Sequence, residues 1–126
     1  MFTNKNNKLE ALIGPNSDFK GDITTQGTFR IDGSFTGNIV ADWVILGDNA
    51  SIKGDISARS VIIGGKVVGN VKAEELVEIK NTGQLAGDIS TRKLSVAEGG
   101  VFEGRSLVQK DESKIVDFPS KESAGS

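Results

Sequence analysis

The sequence predicts a single all-β domain, a parallel β-helix of about six coils between two disordered tails. Three observations carry that prediction. One phrase recurs around Gly21, Gly37, Gly54, Gly69, Gly87 and Gly104, at intervals of 16, 17, 15, 18 and 17 residues. Each copy alternates with period two, the spacing of a strand and not of a helix. A large apolar residue stands two positions before the glycine (Phe19, Phe35, Ile52, Val67, Leu85, Phe102). Another stands two positions after it (Ile23, Ile39, Ile56, Val71, Ile89), and Ser106 alone breaks the column. A second, shorter apolar run precedes most copies: Phe29 and Ile31, Val44 and Leu46, Val61 and Ile63, Val77 and Ile79, Leu94 and Val96. Turn residues separate the runs, as in Gly47-Asp48-Asn49, Gly64-Gly65 and Asn81-Thr82-Gly83. Short strands joined at glycine corners stack coil on coil at about 4.8 Å, so six coils make a rod about 30 Å long.

Composition narrows the function. With 126 residues and a net charge of −2, nothing global steers the chain towards nucleic acid. There is no Cys, which fits a reducing compartment, and no His or Tyr. Losing His removes the commonest general base and the commonest metal ligand. No run approaches 18 apolar residues, and the first residues lack the apolar core of a secretion signal.

Taken in order, residues 1–11 read as a flexible tail. Met1 and Phe2 with Lys5 and Lys8 make a candidate membrane toe, the Phe in the bilayer interface and the lysines near anionic headgroups. Such a toe is too weak to hold a monomer and gains force only through the avidity of an assembly. Residues 12–107 form the core. Leu12 and Ile13 are expected to cover the open first coil, and Gly14-Pro15-Asn16 is the turn that leads into it.

Within the core, Ile23, Phe35, Ile39, Ile52, Ile56, Val67, Val71, Leu85 and Ile89 are expected to fill the lumen. The glycines share their inward parity, either where opposing walls converge or where the strand bends. The outward column after the glycines runs Asp22, Asn38, Asp55, Asn70, Asp88, Arg105. Alternating Asn with Asp relieves repulsion between stacked carboxylates and predicts a ladder of side-chain hydrogen bonds. Lys20 beside Asp22 and Lys53 beside Asp55 are expected as surface pairs. A calcium reading of this column is weak, because each coil supplies one ligand and the glycine-rich calcium repeat is missing. Residues 108–126 are charged and small and read as a flexible tail, with one apolar patch at Ile115-Val116-Asp117-Phe118-Pro119.

No catalytic constellation survives inspection. Acyltransferases and carbonic anhydrases built on stacked coils rely on His, and here there is none. Gly64-Gly65-Lys66-Val67 has a Gly-Lys pair without the following Ser or Thr, the earlier glycine or the helix of a phosphate cradle. Neither a cofactor nor a nucleotide site is expected.

A solenoid has two raw ends, and monomeric solenoids cap them. Here Leu12, Ile13 and Phe19 stand at one end and Val101 and Phe102 at the other, and these five are the expected polymerisation interface. If each end meets its own kind, the filament is non-polar and needs no energy source.

The Met-Phe start with lysines, Leu12-Ile13-Gly14-Pro15, Phe19-x-Gly21-Asp22-Ile23 and the repeated Gly-[Asp/Asn]-[Ile/Val] coils resemble the bactofilins over residues 1 to about 107. The resemblance implies a right-handed helix of triangular coils and nucleotide-free, non-polar filaments. It places them at the inner face of the bacterial membrane, scaffolding cell-shape or cell-wall machinery. It also implies a polymerisation role for Phe102 and membrane targeting by Met1, Phe2, Lys5 and Lys8. The alternative from another class is a β-helix that does not polymerise and presents a face as a protein-binding module.

Overall fold

The computed structural model describes residues 9–108, and every regular element in that span is a strand. The strands are β1 Leu9–Ile13, β2 Asp18–Lys20, β3 Ile23–Thr24, β4 Thr28–Ile31, β5 Ser34–Thr36, β6 Ile39–Val40 and β7 Trp43–Leu46. They continue as β8 Ser51–Lys53, β9 Ile56–Ile63, β10 Lys66–Val68, β11 Val71–Ile79, β12 Gln84–Thr91, β13 Lys93–Val96 and β14 Val101–Val108.

All pairings are parallel and join each coil to the next, which makes a solenoid of about six turns with three faces. The first face stacks β2, β5, β8, β10 and the starts of β12 and β14. The second stacks β3, β6, the starts of β9 and β11, and the ends of β12 and β14. On the third lie β1, β4, β7, the ends of β9 and β11, and β13.

The lumen is dry and apolar. Phe35, Ile39, Ile52, Ile56, Val67, Val71, Leu85 and Ile89 are all buried, and Ile23, in the first coil, is half-buried. The third face adds Phe29, Ile31, Val44, Leu46, Val61, Ile63, Val77 and Ile79. Three phenyl rings anchor the first coils: Phe19 stacks on Phe35 at 5.1 Å, and Phe29 meets Phe35 edge-on at 6.1 Å.

Of the two explanations for the inward-parity glycines, the bend is the one the backbone adopts. Gly54 has φ +140°, and a Cβ there would overlap the carbonyl oxygen of Gly37 in the coil below. Its own N–H donates to Val68 O of the coil above at 3.0 Å. The glycine therefore turns the first face into the second at a point where the backbones of successive coils press together. Lumen width has no part in it.

Four further expectations change. Leu9–Ile13 is a strand of the first coil and not a cover over it, paired with β4 through Leu12↔Arg30 and Ile13↔Ile31. The coil stack thus begins at Leu9, ahead of residue 12, and its last strand ends at Val108. The outward ladder runs from side chain to backbone. Asp22 Oδ1 accepts from Asn38 N at 3.0 Å, Asp55 Oδ1 from Asn70 N at 3.2 Å, and Asn70 Oδ1 from Asp88 N at 3.3 Å. Each acceptor satisfies an amide of the next coil, which a corner in the strand would otherwise leave unpaired. With their carboxylates turned this way, Asp22 and Asp55 do not pair with Lys20 and Lys53. The ion pairs among the described residues are Arg30–Asp32, Arg59–Glu75 and Arg105–Asp88.

Candidate interface at the ends of the coil stack

Among the described residues, each end of the rod is a coil with a neighbour on one side only. At the first end lie β1, β2 and β3, whose ladder partners are β4, β5 and β6 alone. At the last end lie β13 and β14, which pair only with β11 and β12. Their outer edges offer backbone N–H and C=O groups to a further strand.

The lumen columns show the same interruption. Leu85, Ile89, Val77, Ile79 and Thr91 are each at most 2% exposed. The residues stacked on them in the final coil are Phe102, Ser106, Leu94, Val96 and Val108. Phe102 and Leu94 are only partly buried, and Val96 is 45% exposed although it continues the column of Ile79. Phe102, Leu94 and Val96 are apolar like Leu85, Val77 and Ile79, the residues they stack on. Their exposure differs because no coil follows among the described residues.

The five predicted interface residues divide between two surfaces. Ile13, Phe19 and Phe102 belong to lumen columns, in register with Ile31, Phe35 and Leu85. Ile13 is already buried within its coil, whereas Phe19 and Phe102 are half-buried. Leu12 and Val101 point outward, at 57% and 42% exposure, in the columns of Arg30 and Gln84. They therefore flank the end surfaces. Sequence reasoning missed Ala11 at the first end and Leu94, Val96 and Val108 at the last, which share the lumen columns. Extending the inward register one coil further in each direction would have found them. Met1, Phe2, Lys5 and Lys8 lie outside the described residues.

Nothing else in the described span resembles a reaction centre. A shallow groove of about 500 Å³ runs along the second face, lined by Val40, Ser57, Arg59, Lys72, Glu74 and Ser90 among others. No group of three acidic residues capable of holding a metal ion occurs among the described residues. Lys66, the lysine of the Gly-Lys pair, is exposed at the start of β10 on the first face. Arg30 is the cation with the clearest electrostatic partner. Its hydrogen bonds and charge interaction with Asp32 raise its pKa further above the usual guanidinium range. No helix among the described residues is long and apolar enough to cross a membrane.

A parallel β-solenoid whose lumen is bared where the stack stops is a repeat protein with two open ends. The profile of the bactofilins, described as polymer-forming cytoskeletal, matches residues 11–107, and the chain belongs to that family. Bactofilins are structural cytoskeletal proteins and not enzymes. The chain is 27% identical over 95 residues to bactofilin BacP of Myxococcus xanthus, covering 75% of this chain and 40% of BacP. It is 29% identical over 94 residues to BacO of the same organism, covering 74% of this chain and 75% of BacO. The match to BacP thus spans about two fifths of that relative. Among solved structures, the Thermus thermophilus bactofilin, reconstructed by cryo-electron microscopy as double helical filaments, superposes with a TM-score of 0.73. The identity is 28%, over 79% of this chain and all of that one. The cytoskeletal bactofilin BacA, solved by solid-state NMR, gives 0.72 at 28% identity over 80% of this chain and 98% of that one.

Proposed function

We propose that the chain assembles end to end, without nucleotide, into non-polar filaments. Two such strands lie side by side, as in the Thermus filaments described as double helical. The observation that carries the reading is the bared final coil. Phe102 and Val96 stand in columns that are buried one coil below, and the matching end of a second copy would continue them. If each end meets its own kind, the contact is isologous and the filament has no direction. Edge pairing and apolar burial then drive assembly with no hydrolysis step. Electron microscopy of the purified protein at modest salt, with no nucleotide added, should show long filaments. Lone particles at high concentration would sink the reading.

The filaments are proposed to lie at the inner face of the cytoplasmic membrane and to scaffold cell-shape or cell-wall machinery. Support for the membrane comes from Met1, Phe2, Lys5 and Lys8. One buried Phe contributes about 2 kcal/mol and each Lys about 1 kcal/mol near anionic lipid. That is marginal for one chain and ample for a polymer. Polymerised protein should therefore float with phosphatidylserine-containing vesicles in a density gradient, whereas filaments of the same chain without residues 1–8 should stay at the bottom. Equal flotation of both would show that the tail does not bind the membrane.

A further inference from the structure

The third face carries an outward surface that neither the lumen nor the ends explain. Its middle coils carry two unbroken apolar runs, Trp43-Val44-Ile45-Leu46 in β7 and Val61-Ile62-Ile63 in β9, while the flanking strands bring Arg30, Glu78, Lys93 and Ser95. Parallel strands of that kind belong to sheets covered on both sides. One side is the lumen, where Val44, Leu46, Val61 and Ile63 are buried. The other presents Trp43, Ile45, Ile62 and Leu76, which stay partly exposed. The first and second faces differ. Their outward positions include Lys20, Thr36, Lys53, Ser57, Lys72 and Ser90, among which Val40 and Val68 stand singly.

The order of residues along this strip identifies its occupant. The ladder sets Leu12, Arg30, Ile45, Ile62, Glu78 and Ser95 one above another. Around the midpoint between Ile45 and Ile62 the column is charge-complementary to its own reverse. We propose that a second copy of the chain lies antiparallel on this face, as the lateral contact between the two strands of the filament. Each Ile45 then meets the partner's Ile62, and each Arg30 meets the partner's Glu78, twice over by symmetry. A parallel arrangement would oppose Arg30 to Arg30 and Glu78 to Glu78, which is repulsive. Arg30 keeps donors free for this: Nε and Nη2 bind Asp32 at 3.0 and 3.1 Å, and a guanidinium has five N–H groups.

Size agrees with a contact made only by polymers. A face four residues wide and six coils tall covers about 400 Å², half of the roughly 800 Å² per partner of a stable standard interface. One pair is therefore weak, and repetition along the rod makes the association. The inference rests on the filament reading above, yet the two fail differently. Loss of the end contact removes filaments, whereas loss of the side contact leaves filaments of one strand.

The test is a charge exchange read by electron microscopy, with circular dichroism confirming that each variant is folded. Arg30→Glu and Glu78→Arg should each reduce two strands to one, and the double exchange Arg30→Glu/Glu78→Arg should restore two. Ile45→Lys should give single strands that no charge exchange rescues. Trp43 is the only tryptophan, so its emission should shift to the blue as wild-type strands pair and stay red in the single-stranded variants. Paired strands in Ile45→Lys, or no rescue by the double exchange, would overturn the proposal. So would blue emission far below the assembly concentration that turns red when residues 109–126 are removed, because the chain's own tail would then cover the strip.

Discussion

Phe102→Arg should abolish filaments while leaving the coils folded. In the isolated chain Phe102 is half-buried, stacked on Leu85 at the open end of the lumen, so the substitution takes little from the fold itself. In an isologous end contact the same side chain is buried twice. Fully burying an exposed Phe contributes about 1.5–3 kcal/mol; Phe102 has only about a third of that burial left to gain, so the pair contributes about 1–2 kcal/mol. Two guanidinium groups facing each other across the axis add repulsion of about 1 kcal/mol even in water. Together these make about 2–3 kcal/mol, so the association constant at that end should fall by about 30–150-fold. Sedimentation should then find monomers or dimers, dimers if the opposite end still pairs, with an unchanged circular dichroism spectrum. Long filaments persisting in this variant would show that the C-terminal coil is not a polymerisation surface.

Ile56→Asp should unfold the coil itself. Ile56 is 1% exposed, lies mid-stack between Ile39 and Val71, and has apolar neighbours in register above and below. Truncation to Ala would cost about 2–5 kcal/mol through lost contacts and the cavity left behind. A carboxylate there adds the cost of burying an unpaired charge, and the total approaches the whole stability of a small domain. The effect should depend on pH in a stated direction. Desolvation raises the pKa of the introduced acid in the folded state above its unfolded value, so the native state binds more protons. Stability then falls as pH rises through and above the ordinary carboxylate range near 4, and is partly regained in acid. Chemical denaturation at two pH values measures this. A midpoint equal to wild type at neutral pH would mean that the column does not face a dry lumen.

Much of this fold could be read before any coordinates, because a solenoid repeats one local rule. Phe35, Ile52, Val67 and Leu85 fall in one column since each is two residues ahead of a glycine, and the ladder pairs them in that register. Periodicity could not show why glycine is required. Gly54 has inward parity, which suggested a narrow lumen or a bend. The decisive neighbour is the backbone of Gly37, seventeen residues earlier in sequence and directly below in space. The outward Asp and Asn column was legible as a column, yet its hydrogen bonds go to backbone amides, whose direction depends on the corner geometry.

At the ends, sequence marked Phe19 and Phe102 but placed Leu12 and Val101 with them. Alternation puts Leu12 on the outside of β1, next in sequence to a buried Ile13. The signal for β1 is that Ala11 and Ile13 stand eight and six residues before Phe19, as Val44 and Leu46 stand before Ile52.

Residue order by itself determined the coil, its period and the identity of the dry columns, because side-chain parity along a strand is a local property. Stacking alone decided which members of those columns remain bare and which outward residues line up into a surface. Exposure depends on what lies in the next coil, and at Phe102, as on the strip from Arg30 to Glu78, that neighbour is either missing or belongs to another part of the chain.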